Sequence, residues 1–382
     1  MLGEWLRAPE NSRGRGNAAI QVTLMAHESQ LNFSAQEILA NLPTREPLIV
    51  KGVKCHGGFD ADGHYRSPRT AFRVPAIRAW QERHVATSGT PLFEIPADTI
   101  APQAPNVAQV KFLLRSGVRE PMVRWLSEIA IVEGFGAMIR DLPVPPLASF
   151  IREDTSGTAL AHLAGGLFEA HARDEAGWTE EGGHRQMWDA ARDAALSNPA
   201  ISPEIYTSLI GQRGTGRPAA LFPELGEPVE RLIRFMANVL AIEVFATSTF
   251  AWAEEILSDP EVSDAPIDAA NLVRFIRADE SPHVEYLRTA LSEIQARTLL
   301  TLDGKPVSGR KVVNDLAERG IRRMLRDRLN ERPVMVRDLI RKTANVKDID
   351  ALMREFDALD TPWTPPARYA DLAPARGTAS VA

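Results

Sequence analysis

The chain has 382 residues, of which 44% are hydrophobic and 25% charged, and its formal net charge is −6. This is ordinary globular composition, enough for one large core or two moderate ones, and it lacks the clustered basic surface that nucleic acid or an anionic membrane requires, so neither is expected as a partner. Cys55 is the sole cysteine, which excludes an internal disulfide, and the N-terminus lacks the apolar stretch of a secretory signal, giving a cytoplasmic expectation.

Residues 1–106 are rich in Gly, Pro and turn signals, as in "KCHGGFDADGHYRSPRT" and "IPADTIAPQAPN", and read as an irregular extension or cap with short elements at "EPLIVKGV" and "AFRVPAIRAWQERHV". Within it, Cys55-His56 with His64 lacks the remaining ligands of a zinc site, and "DADG" at 60–63 reads as a turn. From 107 to 300, apolar residues recur at helical spacing over 120–140, 157–195, 228–257 and 266–299. Short connections join the first segment to the second and the third to the fourth, while roughly thirty residues separate the second from the third. The fold class expected is therefore all-α: a ferritin-like four-helix bundle with one long crossover. Further charged helices follow over 301–358, and an extended tail over 359–382.

The most apolar run, 236–253, approaches the length of a membrane span, but it carries Asn238, Glu243, Thr247, Ser248 and Thr249 and reads as a buried core helix. A carboxylate at its centre must be paired, coordinated or neutralised. Glu133, in "SEIAIVEGFGAMI", sits in a similar setting. Each of these glutamates precedes a Glu-x-x-His: Glu181 to His184 in the first half and Glu280 to His283 in the second. On a helix, residues three apart share a face, so each such pair can offer a carboxylate oxygen and an imidazole nitrogen to one ion. Gly182-Gly183 and Ser281-Pro282 lie between the paired residues, which suggests a distorted backbone there. The bland alternative is a buried salt-bridge network with Arg234 or Arg277 as cations, which leaves the repetition unexplained. His162 and His171, with Glu175 one turn after His171, are alternative ligands if the register slips.

With Glu and Glu-x-x-His repeated in this order, residues 118–300 resemble the ferritin-like di-iron (or di-manganese) carboxylate superfamily, which includes the ribonucleotide reductase small subunit, soluble desaturases and multicomponent monooxygenases. The resemblance implies that Glu133, Glu181 and His184 hold one metal and Glu243, Glu280 and His283 the other. The superfamily's Asp-Glu-x-Arg-His is met by Asp279 before Glu280, with Pro282 in the arginine position; the first copy has Glu180 before Glu181 and Gly183 in that position. The implied cofactors are two Fe ions, or Mn or a mixed Mn/Fe pair, with O2 as co-substrate. The implied activity is hydroxylation, desaturation or another oxidation of a small organic substrate, with a ferredoxin or reductase as electron donor and homodimerisation by analogy. Thr247, one turn after Glu243, and Tyr286, three residues after His283, are the candidate catalytic residues beside the metals. Gly134 and Gly136 flank Glu133 and leave room for substrate or for close helix contact. Two other classes remain in view: iron storage or a manganese catalase, and a metal-free helical interaction module.

Overall fold

The computed structural model describes residues 34–96, 99, 102–211, 219–322, 325 and 328–364. The parts of the extension before 34 and of the tail after 364 lie outside these. The chain is helix-rich, as expected. A short α1 (Ala35–Ile38) is followed by a three-stranded antiparallel sheet of β1 (Glu46–Val50), β2 (Val53–Phe59) and β3 (Tyr65–Arg66), and then by α2 (Arg73–Ser88). Lys51 and Gly52 both adopt positive φ in the two-residue turn between β1 and β2, the geometry that matches the twist of a hairpin. The main helices are α3 (Val107–Arg115), α4 (Glu120–Gly136), α5 (Phe168–Ala176), α6 (His184–Ala195), α7 (Glu204–Gly211), α8 (Glu227–Leu257) and α9 (Pro266–Gln295). After them come a small hairpin, β4 (Thr298–Leu300) and β5 (Pro306–Ser308), and the helices α10 (Gly309–Ile321), α11 (Arg328–Thr343) and α12 (Ile349–Ala358).

Three of the four long helical segments match the reading of the sequence, and one differs. The segment 157–195 is not one helix: a 3-10 turn at Ala159–His162 runs into a kink where Ala164 and Gly165 leave helical geometry, α5 stops at Ala176, and α6 starts only at His184. In the second half the reverse holds. Pro282 lies inside α9, which stays helical from Pro266 to Gln295 across the Ser281-Pro282 pair where a distorted backbone was expected.

Helix α9 is the centre of the packing, with α8, α6, α2 and α10 against it, while α4 packs on α6 and α5. Two apolar clusters form the core. One takes residues 246–257 of α8, 269–276 of α9 and 122–130 of α4; the other takes 229–241 of α8, 286–294 of α9 and 167–172 around the start of α5. Between these layers each central helix carries a polar interval: Glu243 on α8, and Asp279, Glu280 and His283 on α9. Burying apolar surface on both sides holds these helices in place while their midpoints remain available for polar chemistry. Among the described residues α8 is the one helix long and apolar enough to cross a membrane, and 56% of its most apolar window is packed inside the protein.

Candidate metal centre

Seven side chains converge in the polar interval. Glu133, Glu175, His184 and Glu280 form one group, and His171, Glu175, Glu243 and His283 form another; Glu175 belongs to both. All seven are buried, the three histidines and Glu175 at 2% exposure or less. Glu280 spans the two groups, with Oε1 2.9 Å from His184 Nδ1 and Oε2 2.9 Å from His283 Nδ1. Glu175 Oε1 lies 3.5 Å from His184 Nδ1, 3.3 Å from His283 Nδ1 and 3.7 Å from His171 Nε2. Glu133 reaches His184 at 3.7 Å, and Glu243 reaches His171 at 3.4 Å.

Local structure explains this meeting in two ways. On α9, Glu280 and His283 share a face because they are one helical turn apart. In the first half, Glu175 lies in the last turn of α5, residues 177–183 leave the helix, and the chain returns to place His184 at the start of α6. The excursion is pinned to β2, where Gly182 N–H donates to Lys54 O and His56 N–H donates to Gly182 O. Its neck admits no side chain: a Cβ on Gly177 would sit 2.2 Å from Glu181 O, and one on Gly183 2.4 Å from Asp174 O. Helix α4 also closes tightly on the site, since a Cβ on Gly136 would lie 2.6 Å from Glu175 Cγ. Close helix contact is thus the role of that glycine.

The expected ligand Glu181 is not in the cluster. It lies in the excursion, pairs its backbone with Trp178, and turns a partly exposed carboxylate to within 3.9 Å of Lys54. Glu175 takes its place, and His171 adds a third imidazole. The sequence held a signal for this. Asp174-Glu175 repeats Asp279-Glu280, and with this register the spacing from Glu133 comes within five residues of that from Glu243 to Glu280, instead of eleven. Glu-x-x-His alone hid the repeat, because the first histidine is displaced by the excursion.

Each imidazole has one nitrogen facing the cluster and the other facing a buried partner. His283 Nε2 is 3.1 Å from Asp174 Oδ2, His184 Nε2 is 3.5 Å from Asp279 Oδ2, and His171 Nδ1 shares a hydrogen bond of 3.2 Å with the Tyr286 hydroxyl. Outer partners of this kind fix the ring orientation of a ligand histidine. The aspartates are themselves held by the N-terminal segment. Arg69 Nε donates to Asp174 at 2.7 Å and Arg73 Nη1 pairs with it at 2.7 Å, while His56 Nε2 and the Tyr65 hydroxyl meet Asp279 at 2.8 and 2.9 Å. Nothing in the sequence pattern tied these four residues to the site.

Other candidates fall elsewhere. Thr247 donates to Glu243 O, an ordinary helix contact at 3.1 Å. His162 stacks on Trp80, Arg277 pairs with Glu254, and Arg234 pairs with Glu230. Asp60, within "DADG", accepts from the backbone N–H groups of Asp62 and His64 as a turn. Burial and the nearby Asp279 push the Cys55 thiol up to about 12, leaving it unreactive.

The buried carboxyls and imidazoles shift one another strongly. Burial, and then repulsion by Glu175 and Glu280, raises the Glu133 carboxyl well above its ordinary range; burial, and then Glu280 and Glu175, does the same to Glu243. Burial disfavours charge on His184 and His283 too, but Glu280 and the other carboxylates outweigh it and hold both well above the usual imidazole value. His171 is pushed well below that value by burial and by His283. Glu280 is held well below the carboxylate range because His283 and His184 overcome its burial. Glu133 Oε2, Glu175 Oε2, His171 Nε2 and both nitrogens of His184 are buried without an aligned hydrogen bond, although His184 Nδ1 lies 2.9 Å from Glu280 and His171 Nε2 3.4 Å from Glu243. Buried donor atoms left so are costly unless something else satisfies them, and all of these belong to the two ligand groups.

No family model, curated protein or solved structure matches the chain.

Proposed function

We propose that this chain is a dinuclear-metal, O2-activating oxidoreductase of ferritin-like architecture that acts on a small organic substrate. The observation that carries the reading is the convergence of four glutamates and three histidines, several of their atoms lacking an aligned hydrogen bond, between two apolar layers. Four carboxylates balance two divalent cations, so the filled centre is neutral where net charge is costly. Glu133, Glu175, Glu280 and His184 would hold one ion, and His171, Glu175, Glu243 and His283 the other. A carboxylate-rich donor set with few imidazoles suits iron, or manganese, better than copper or zinc.

A bound iron pair would supply reductive activation of O2 for hydroxylation, desaturation or a related oxidation. The protein's own part is to exclude water with the two apolar layers and to hold the imidazoles through Asp174, Asp279 and Tyr286. Its carboxylates keep the centre neutral, and electrons for O2 chemistry come from a ferredoxin or reductase. The N-terminal sheet and α2, packed against the site, favour an enzyme over a storage shell that needs little beyond four helices.

The test is metal analysis after anaerobic Fe(II) loading of wild type, Glu175→Ala and Glu181→Ala, followed by exposure to O2. About two ions per chain are expected in wild type and Glu181→Ala, with most of that lost in Glu175→Ala. Absence of bound metal from the wild type would reduce the cluster to a buried polar network. Vigorous peroxide disproportionation by the manganese-loaded protein would move the function to a catalase, and growth of an iron core to storage.

A further inference from the structure

The N-terminal segment treats the two candidate metal positions differently. Behind His283 stands Asp174, whose charge is compensated by two buried guanidinium groups, Arg69 and Arg73, so this trio carries a net positive charge. Behind His184 stands Asp279, met by a neutral phenol, Tyr65, and by the His56 imidazole, with no arginine or lysine within ion-pairing distance among the described residues. An imidazole whose N–H faces a carboxylate held by a phenol and another imidazole is a stronger donor than one facing a carboxylate held by two guanidinium groups. The ligands differ in the same direction: Glu175 and Glu280 reach both sides, but the His184 side has one imidazole and the other side two, His171 and His283.

We propose that residues 56–73 make the two metal positions unequal. Arg69 and Arg73, acting through Asp174, suit the His171/His283 position to the ion of lower charge; His56 and Tyr65, acting through Asp279, suit the His184 position to the ion that reaches the higher charge. These four are positioning residues, since each touches an aspartate rather than a ligand atom that faces the cluster. The inference rests on the dinuclear reading above and specifies which half of the centre is which. It also gives the irregular N-terminal region a task that a passive cap would not have.

The test is Mössbauer spectroscopy of protein loaded anaerobically with 57Fe(II), beside metal titration and far-ultraviolet circular dichroism. Wild type is expected to show two quadrupole doublets of equal area. Arg69→Gln, which leaves Asp174 less compensated and His283 the stronger donor, should move one doublet and tighten one of the two binding steps by about tenfold. Tyr65→Phe should move the other doublet. Arg73→Lys, which keeps the charge on Asp174, should leave both near their wild-type positions. Arg69→Gln is preferred to the double glutamine variant because Arg73 still compensates Asp174 and preserves the fold. A single wild-type doublet from two bound ions, or variants that move both doublets alike or neither, would overturn the inequality and leave the dinuclear reading intact. Failure of the wild type to bind iron would instead remove the reading on which it rests.

Discussion

The two halves of the candidate centre reach the same geometry by different routes. In the second half, α8 and α9 are continuous, and Glu280 and His283 meet the cluster because helical periodicity puts them on one face. In the first half, α5 ends one residue after Glu175, the chain makes an excursion to β2, and α6 opens on His184. Ligands need to converge in space and need not keep a fixed separation along the chain. A rigid helix supplies the convergence through its period, whereas the excursion supplies it through a glycine neck and a strand that holds it down.

The largest effect expected from this comparison is on metal binding. Glu175→Ala should cost as much metal as Glu280→Ala although the two lie in unlike local structures, because each reaches both groups. Metal-to-protein ratios that fall for Glu280→Ala alone would break the equivalence of the halves.

The linking residues should respond in opposite ways. Gly183→Ala forces a Cβ to within 2.4 Å of backbone atoms, and its thermal unfolding should show a loss of more than about 2 kcal/mol together with lost metal. Ser281→Ala, on the exposed face of α9, should stay within about 0.5 kcal/mol of wild type, with full metal content. Equal effects would mean that the excursion is no more constrained than the helix.

The pH dependence separates the metal-free protein from the filled one. Glu133, Glu243, His184 and His283 have folded-state values raised above their ordinary ones, so their contribution to stability is complete below the unfolded values and is lost as pH rises through the folded ones. The melting temperature of metal-free protein should therefore decline as the solution is made more alkaline through that range. Metal binding removes the need for those protons, so the gain in melting temperature on adding Fe(II) or Mn(II) should be larger at pH 8 than at pH 6, with protons released on binding. Calorimetric titration in buffers of different ionisation enthalpy measures that release, and a gain in melting temperature that does not grow with pH would contradict the charge balance.

The smallest effect is expected at Thr247. Thr247→Val removes a hydroxyl that bonds its own helix and should change stability by less than about 1 kcal/mol without altering metal content. Loss of turnover with both of these preserved would give that hydroxyl a role at the site.

What the sequence determined by itself was the helical class, the buried glutamates Glu133 and Glu243, the α9 pair Glu280 and His283, and His184. These follow from local rules: apolar periodicity marks a helix, a carboxylate in apolar surroundings demands compensation, and residues three apart share a face. Tertiary structure alone decided that Glu175 and His171 join the cluster while Glu181 does not, because a glycine neck pinned by a strand has no period from which register can be read. It alone also brought Arg69, Arg73, His56 and Tyr65 to aspartates more than a hundred residues further along the chain. Such contacts depend on how the N-terminal sheet and α2 pack against α9, and packing joins residues whose local sequences carry no trace of one another.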